Sequence, residues 1–230
     1  SINSLTAICE ATGANISEVS KAIGMDSRIG PKFLEASVGF GGSCFQKDIL
    51  NLVYISRSLG LAEVGNYWHQ VILMNNYQRD RFVRNMIKTM HNTISGKTIA
   101  LLGWSFKKDT NDSRESSAIY IADMLIEEQA TVKVYDPKVT QAQIMYDLEY
   151  LNTRSAKDNE THLQVQNNAY ATMEGAYAVA ILTEWGEFKT YDWQRIYDSM
   201  QKPAFVFDGR NILDKQNLED IGFVYKAIGG

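Results

Sequence analysis

From Lys97 onward, short apolar segments alternate with longer amphipathic ones, and this alternation constrains the fold more than any other feature of the sequence. Four apolar segments have the length and composition of buried strands: KTIALLGWSF, TVKVYDP, YAVAILTEW and PAFVFDGR. Helical periodicity marks SRESSAIYIADMLIEEQA and DWQRIYDSM, and the Asn-, Thr- and charge-rich segment 150–168 is predicted to be a loop. Strands joined by helix-length crossovers form a parallel sheet covered on both faces. We therefore predict an α/β fold.

The sequence before this region carries helical patterns only. Apolar residues recur at helical spacing from Ile2 up to Gly13, which ends the first predicted helix. The segment NISEVSKAIG predicts a second helix, with Asn15 or Ser17 as its N-cap and Gly24 as its end.

Two more helices are predicted, one from Cys44 to Gly60 and a longer one over residues 62–92, which contain no proline. A helix of that length suggests an element that bridges two domains. We therefore expect an all-helical domain at 1–94 and the parallel-sheet domain at 95–230.

Composition and charge exclude several kinds of partner. The chain has 230 residues, of which 45% are hydrophobic and 22% are charged, so two modest domains can each bury a core. The net charge of −4 gives no electrostatic reason to expect nucleic acid or an anionic membrane. No apolar run is long enough for a membrane span, and no signal peptide is expected. Because residue 1 is Ser rather than Met and a helical pattern is already present from Ile2, the chain is expected to be a piece of a longer protein.

The cysteines and histidines indicate neither a disulfide framework nor a metal site. Cys9 and Cys44 are too few for a framework, and neither belongs to a CxxC or Cys/His cluster. The three histidines are scattered along the chain, so no metal is expected. A reducing, cytoplasmic setting is the default interpretation.

Basic residues lie in loops that follow the predicted strands, where parallel sheets bind their ligands. GWSFKKDTNDSRES carries Lys107, Lys108 and Arg114, and DGRN carries Arg210. Cations in these loops suit an anionic, phosphorylated ligand, although solvated surface charge is the alternative. We favour surface charge for Lys108 and ligand binding for Lys107 and Arg210.

A dinucleotide fingerprint is missing from the same domain. Gly103 is the only glycine in its loop, whereas GxGxxG needs three. This domain is therefore not expected to be the primary dinucleotide site. Asp136 resembles a ribose-binding acid, but we interpret it as a turn former before Pro137.

The segment VGFGGSCFQKD places Cys44 after a glycine-rich loop, at a predicted helix N-terminus. Free N–H groups there stabilise a thiolate, with Ser43 as a candidate cap and Lys47 nearby. Asp48, four residues on, shares a helical face with Cys44 and could handle a proton or a water molecule. The alternative is that Cys44 is a small buried apolar residue, and spacing alone does not decide. Cys9 is assigned to the core.

The motif GFGGSCFQKD is similar to the active-site cysteine motif of the UDP-glucose/GDP-mannose dehydrogenase family. Further segments resemble that family's landmarks in the same order, namely CEATGA, IGMDSRIGPKFL, LNLVY, GWSFKKDTNDSRES, YDPKV, TEW and KPAFVFDGRNILD. A full-length member has an N-terminal NAD-binding Rossmann domain, a central helical dimerisation domain and a C-terminal UDP-binding domain. The resemblance covers essentially the whole chain and implies the last two domains, the second of them Rossmann-like.

The resemblance implies an NAD-dependent oxidoreductase of nucleotide-sugar metabolism and polysaccharide biosynthesis. Such an enzyme oxidises the C6 alcohol of UDP-glucose twice, using two NAD, and a cysteine carries the intermediate as a thiohemiacetal and then a thioester until water releases UDP-glucuronate. By resemblance, Cys44 is this nucleophile and Asp48 the carboxylate implicated in water activation. The family's catalytic lysine and asparagine precede the segment SINS, and its catalytic glutamate lies in the N-terminal domain. The chain alone is therefore expected not to turn over.

The resemblance also implies the residues that bind ligands. Glu35 replaces a lysine of some relatives and is expected to contact substrate through its backbone, if at all, whereas Arg28 is expected to reach the neighbouring subunit's substrate. The substrate contacts implied within the subunit are Glu35, Ala36, Ser37, Val38, Gly39, Phe40, Gly41, Phe106, Lys107 and Arg210. The NAD contacts implied are Cys44, Phe45, Gln46, Lys47 and Arg114.

The partners implied are UDP-glucose or UDP-glucuronate and a second copy of the chain, in a homodimer or higher homo-oligomer formed through the helical domain. Nucleic acid, membrane and metal are not expected. Two alternatives stay open. One is a related dehydrogenase acting on UDP-N-acetylmannosamine or GDP-mannose, although SCFQKDILNLVY and FDGRNILD favour UDP-glucose. The other is a non-catalytic module for nucleotide-sugar binding and dimerisation.

Overall fold

The computed structural model describes residues 2–230 and confirms the predicted α/β class. The helical part is formed by α1 (Ile2–Thr12), α2 (Ile16–Gly24), α3 (Ser43–Ser58) and α4 (Ala62–Thr89). The sheet part is formed by β1 (Thr98–Leu102), α5 (Ser117–Glu127), β2 (Thr131–Tyr135), α6 (Gln141–Tyr150), α7 (Ala156–His162), β3 (Leu163–Val165), α8 (Ala169–Met173), β4 (Ala178–Ile181), a 3₁₀ helix (Gly186–Thr190), α9 (Trp193–Ser199), β5 (Phe205–Asp208), α10 (Lys215–Ile221) and β6 (Val224–Ala227). No helix in the described range is both long and apolar enough to cross a bilayer.

The six strands form one parallel sheet in the order β3-β2-β1-β4-β5-β6. This is the order of doubly wound dinucleotide-binding folds, and the chain reverses direction across the sheet between β1 and β4. The predicted parallel sheet is therefore confirmed. The loops that follow β1, β4 and β5 meet at its carboxyl edge, which is where such sheets bind ligands.

Both faces of the sheet are buried, which explains why its central strands are continuously apolar. Along β1, Ile99 and Leu101 belong to one hydrophobic cluster, and Ala100 and Leu102 belong to the cluster on the opposite face. The first cluster is covered by α4, α5 and α6, and the second by α8, α9 and α10. A strand buried on both sides loses the polar alternation of a half-exposed one.

Helix α4 packs into both parts of the molecule, as the long proline-free run predicts. In its first half, Ile72 packs against Ile49 and Val53 of α3. Near its end, Phe82 and Met86 are buried in the cluster below the sheet. The two parts are thus joined by one continuous helix, and the domain division at residue 94 stays a prediction.

The prediction that 150–168 is a loop is wrong, because this segment contains α7 and β3. The Ser155 hydroxyl caps α7 by accepting a hydrogen bond from the amide of Asp158 at 3.2 Å. Strand β3 is only three residues long, with Leu163 buried at the sheet edge, so its apolar signal is weak. For α2, the predicted cap Asn15 is confirmed and accepts from the amide of Ser17 at 2.8 Å.

The end of the chain is fastened to the helical part through Glu10. One oxygen of this carboxylate accepts a hydrogen bond from the amide of Gly229 at 2.8 Å, and the other forms an ion pair with Arg81 of α4. The carbonyl of Gly229 accepts from the amide of Ile16 at 2.9 Å. One carboxylate therefore links α1, α4 and the segment that follows β6.

Candidate active site

The glycine-rich loop at residues 35–42 lies across the carboxyl edge of the sheet. The amide of Val38 donates to the carbonyl of Gly209, just after β5, at 3.0 Å. The amide of Gly42 donates to the carbonyl of Arg114, in the loop that follows β1, at 2.8 Å. The loop thus brings Cys44 to the ligand-binding edge predicted for the sheet part.

Glycine is required in this loop because backbone packs directly against the sheet part. A Cβ atom at Gly41 would lie 2.6 Å from the carbonyl oxygen of Glu115 and 2.8 Å from Cβ of Phe106, closer than real side chains approach. Gly39 has a φ of +132°, a conformation that residues with a side chain rarely adopt. The glycines therefore serve close packing as well as chain direction.

Cys44 is the second residue of α3, and its side chain is exposed. The alternative of a buried apolar thiol is therefore wrong for Cys44, whereas Cys9 is buried as predicted. The predicted cap is also wrong, since Gly42 occupies the N-cap position with a φ of +88° and Ser43 makes no capping hydrogen bond. The Ser43 hydroxyl instead lies 3.9 Å from the sulfur. Asp48 follows one turn later on the same helix and is exposed.

Two cations of the predicted site lie at the carboxyl edge in different surroundings. Arg210 is largely buried and forms an ion pair with Glu184, and its burial lowers the pKa of the guanidinium. Glu35 is close enough to Arg210 to interact with it electrostatically. Lys107 is exposed, with its ammonium 5.4 Å from the centre of the Phe106 ring. Lys107 is thus the more accessible of the two cations.

Arg114 lies on the other side of the loop and is also exposed. Its guanidinium donates to both carboxylate oxygens of Asp112, at 2.9 and 2.7 Å, and these hydrogen bonds lower the pKa of Asp112. The guanidinium is also close enough to the Cys44 sulfur for the two to interact electrostatically. Arg114 thus lies between the carboxylate of Asp112 and the thiol of Cys44.

A cavity of about 830 Å³ opens between the start of α3, the loop at 111–115 and α6. Three residues assigned to NAD by the resemblance line it, namely Gln46, Lys47 and Arg114. Phe45 is half exposed and packs edge-on against Phe40, with ring centres 4.8 Å apart. This cavity is bordered by Ser43, next to the thiol.

Arg28 stands apart from the other predicted site residues. It lies in the exposed turn after α2, where its backbone and guanidinium hydrogen bonds all go to Asp26. Its side chain is 87% exposed. Within residues 2–230 no recorded hydrogen bond or ion pair joins it to the rest of the site, so a role toward a neighbouring subunit stays a prediction.

Sequence reasoning missed polar residues that fix the walls of this site. Asn75, Gln78 and Arg79 of α4 are buried and contact the glycine-rich loop. Glu115 accepts from Gln46 at 2.9 Å and from Tyr120 at 2.6 Å, and burial together with this carboxylate raises the pKa of Tyr120 to about 12. The sequence signal for the α4 residues is weak: Asn75, Gln78 and Arg79 are polar residues that interrupt the apolar face of the helix.

Asp136 does more than form the predicted turn. One carboxylate oxygen accepts from the amides of Lys138 and Val139, which is the turn itself. The other accepts from the amides of Trp104 and Ser105 and from the indole of Trp185. Asp136 therefore joins the loops that follow β1 and β4, on either side of the point where the strand order reverses.

No group of three or more His, Cys, Asp or Glu side chains in the described part of the chain is arranged to hold a metal ion.

Comparison with known proteins relates both parts of the chain to one family. Residues 1–77 match the central domain of the UDP-glucose/GDP-mannose dehydrogenase family, and residues 100–215 match its UDP binding domain.

Individual relatives agree with this assignment. The chain is 55% identical over its whole length to UDP-glucose 6-dehydrogenase 5 of Oryza sativa subsp. japonica and 54% identical to UDP-glucose 6-dehydrogenase of Drosophila melanogaster, and it covers 50% and 48% of those proteins. A structure of a UDP-glucose dehydrogenase from Pyrobaculum islandicum superposes with a TM-score of 0.78 at 26% identity, over 99% of this chain and 46% of that one. The chain spans about half the length of the curated relatives it matches. It belongs to the UDP-glucose/GDP-mannose dehydrogenase family.

Proposed function

We propose that this chain is the thiol-bearing and UDP-binding half of an NAD-dependent dehydrogenase that oxidises UDP-glucose to UDP-glucuronate. The observation that carries the proposal is the exposed thiol of Cys44, which the glycine-rich loop brings to the carboxyl edge of a doubly wound sheet. Relatives that are 52–55% identical over the whole chain are named UDP-glucose 6-dehydrogenases, which supports this sugar over others of the family.

The substrate lies along the loop in this proposal. Lys107 and Arg210 stand at strand ends, where cations neutralise a diphosphate. Phe106 packs beside the loop at Gly42 and supplies an apolar wall. The loop residues Glu35, Ala36, Ser37, Val38, Gly39, Phe40 and Gly41 contact the nucleotide sugar, mainly through their backbone.

Cys44 and Asp48 carry the chemistry of the second oxidation. The Cys44 sulfur adds to the C6 aldehyde and the aldehyde oxygen takes up a proton, which gives a thiohemiacetal. Loss of the C6 hydride and of the hydroxyl proton then leaves a thioester. Asp48 accepts a proton from the water that attacks this thioester, which releases the carboxylate product and returns the thiol. A thiolate is a better nucleophile than a thiol.

The surface around the thiol has features suited to NAD. The cavity beside Ser43 is lined by the side chains of Gln46, Lys47 and Arg114, of which the two cations suit a pyrophosphate. In the proposal these residues, with Phe45 and Cys44, hold the nicotinamide half of the dinucleotide. When bound, NAD supplies the hydride acceptor.

A homodimer in a reducing compartment such as the cytoplasm completes the proposal. Helices α3 and α4 and the turn between them expose many large apolar side chains, which supports burial against a second copy. These side chains are Leu50, Leu52, Tyr54, Ile55, Leu59, Leu61, Val64, Tyr67, Leu73 and Tyr77. Arg28 reaches the neighbouring subunit's substrate in such a dimer. Both cysteines are free, which agrees with reducing surroundings.

The test joins this chain to the NAD-binding half of the Drosophila melanogaster relative and measures NADH and UDP-glucuronate formation from UDP-glucose. Replacing Cys44 by alanine should lower acid formation by more than about a thousandfold, because the covalent intermediate cannot form. Cys9→Ala, which removes the other thiol, is the matched control and should keep most of the activity. Acid formation by Cys44→Ala at the parent rate would refute the proposal.

Binding is tested separately by titration calorimetry of the chain with UDP-glucuronate. Binding without any turnover in the joined protein would favour a non-catalytic nucleotide-sugar module. Turnover with UDP-N-acetylmannosamine or GDP-mannose in preference to UDP-glucose would assign a different sugar. Failure to bind any uridine nucleotide would contradict the proposed UDP-glucose dehydrogenase, the UDP-N-acetylmannosamine alternative and a module that binds UDP-sugars.

A further inference from the structure

The glycine-rich loop is buried although it has no regular secondary structure. Residues 35–42 form neither helix nor strand, yet Val38, Gly39 and Gly42 are buried. Buried backbone N–H and C=O groups need hydrogen-bond partners, and within the loop only the Ser37 hydroxyl acts as one, toward Gly39. Something outside the loop must therefore determine its path.

Side chains on one face of helix α4 supply several of these partners, to the backbone groups of Ser37 and Phe40. The side-chain amide of Asn75 accepts from the amide of Phe40 at 2.8 Å and donates to the carbonyl of Phe40 at 3.0 Å. Gln78 donates to the carbonyl of Ser37 at 2.9 Å, and Arg79 donates to the carbonyl of Phe40 at 2.9 Å. The three side chains lie at positions i, i+3 and i+4, which share a helix face.

Arg79 also reaches across to the sheet part. Besides the carbonyl of Phe40, its guanidinium donates to the carbonyl of Glu115 at 3.1 Å and to the hydroxyl of Ser117 at 3.1 Å. The Cζ atom of the Arg79 guanidinium lies 4.1 Å from the centre of the Tyr120 ring. The side chain is nearly inaccessible to solvent, and all three of its acceptors are uncharged. Burying a cation among uncharged acceptors costs desolvation free energy.

The same contacts lead to the first turn of α3. Glu115, whose carbonyl accepts from Arg79, also binds the side chain of Gln46 through its carboxylate at 2.9 Å. Gln46 lies two residues after Cys44, and Gly42 lies two residues before it. The amide of Gly42 donates to the carbonyl of Arg114, which precedes Glu115 in the sequence. Both ends of the turn that carries the thiol are thus fixed to the segment that Arg79 holds.

We propose that Asn75, Gln78 and Arg79 are positioning residues, which hold the loop in its ligand-binding geometry, and that Arg79 aligns the loop with the sheet part. The inference rests on the proposed function, since the ligand is the uridine nucleotide sugar. None of the three touches reacting atoms. Their effect reaches the site through the backbone at residues 37–42 and the turn at Cys44.

The experiment compares Arg79→Met with Arg84→Met in the 230-residue chain. Arg84 lies on the exposed side of the same helix and is the matched control. Residue-resolved hydrogen exchange should show the amides of Phe40 and Gly42 exchanging at least tenfold faster in Arg79→Met. The amides of β1 and β4 should keep their parent rates. Calorimetry should show at least a tenfold loss of affinity for UDP-glucuronate.

Arg79→Lys separates geometry from charge. An ammonium is a single point charge that cannot reproduce the planar fork of three donors, so both effects should be intermediate in this variant. Arg84→Met should match the parent chain in every measurement.

Several outcomes would overturn the inference. These are parent-like exchange of Phe40 and Gly42 in folded Arg79→Met, faster exchange spread evenly over the sheet, or faster loop exchange with unchanged affinity. If Arg79→Met does not fold, Asn75→Leu, which leaves the guanidinium in place, should accelerate exchange at Phe40, and its failure to do so counts equally against the idea. If the parent chain binds no uridine nucleotide, the proposed function fails, whereas the exchange measurements still decide whether these residues hold the loop.

Discussion

The sheet part and the helical part of this molecule are stabilised in different ways. The sheet is sandwiched between two large apolar clusters, so each face of its central strands is sealed. Among the residues that the structure describes, the helical part has two small clusters, one around Cys9 and Ile16 and one around Val53 and Ile72, and it leaves large apolar side chains exposed. The difference indicates that the sheet part holds its own shape, whereas the helical part depends on polar contacts and on surfaces that it can cover.

The largest expected effect on the free energy of unfolding comes from shortening side chains in the apolar clusters of the two parts. Phe188→Ala removes a fully buried ring from the cluster on the sheet face opposite α4 and should lower the free energy of unfolding by about 3–5 kcal/mol. Val53→Ala removes two methyl groups from the smaller cluster between α3 and α4 and should cost about 1–2 kcal/mol. Urea denaturation followed by circular dichroism measures both. Equal losses would contradict the contrast between the two parts.

A second prediction concerns the contact between the parts. A Cβ atom at Gly209 would lie 2.3 Å from Cγ1 of Val38 and 2.8 Å from the carbonyl oxygen of Ile181. Gly209→Ala should therefore push the loop away from the sheet and cost about 1–3 kcal/mol in urea denaturation, as overpacking does. Gly186→Ala is the control, because its new Cβ would meet no atom within 4 Å. Equal stability of the two variants would show that the loop is not packed against the sheet as described.

A third prediction tests the exposed apolar surface of the helical part. If a second copy covers α3, a buried carboxylate at position 55 should be strongly unfavourable. Ile55→Glu should then weaken self-association by about thirtyfold or more, measured by sedimentation equilibrium. Tyr150→Glu places the same charge on an exposed aromatic residue of the sheet part and should leave association unchanged. A monomeric parent chain, or parent-like association of Ile55→Glu, would contradict the proposed interface.

The smallest expected effect is electrostatic and lies at the rim of the site. Hydrogen bonds from Arg114 lower the pKa of Asp112 below its ordinary value of 3.8, so the folded chain holds that proton less tightly than the unfolded chain. The stabilisation is therefore present above the unfolded-state pKa and is lost as the pH falls through the lower, folded-state pKa. Asp112→Asn should lower Tm slightly near neutral pH, and this difference should shrink in acid. A Tm difference between parent and variant that grows on acidification would contradict this prediction.

The fold was predictable where burial leaves a local mark on the sequence. Strands β1, β4 and β5 are continuous apolar runs, β2 alternates buried and partly exposed residues, and α4 shows as a long segment without proline. The two edge strands were not identified, because β3 has three residues and β6 buries only part of its length. The short helix α7 begins from a serine cap in a polar segment, where composition alone indicates a loop.

The site was predictable only in the residues of its motifs. The glycine-rich loop and Cys44 stand next to each other in the sequence, so their joint position follows from local structure. Asn75 and Arg79 look like part of the solvated face of a long helix, and only the fold places the loop over them. The same holds for Asp136, whose partner Trp185 is 49 residues away.

The continuity of α4 limits how this molecule can move. Its 28 residues form a rod about 42 Å long, anchored at one end against α3 and at the other beneath the sheet. A hinge motion between the helical part and the sheet part would have to bend α4. The glycine-rich loop and the strand ends are therefore expected to move together. Adaptation to a ligand is then left to exposed side chains along the rim, such as Lys107, which can change conformation while the backbone beneath them stays in place.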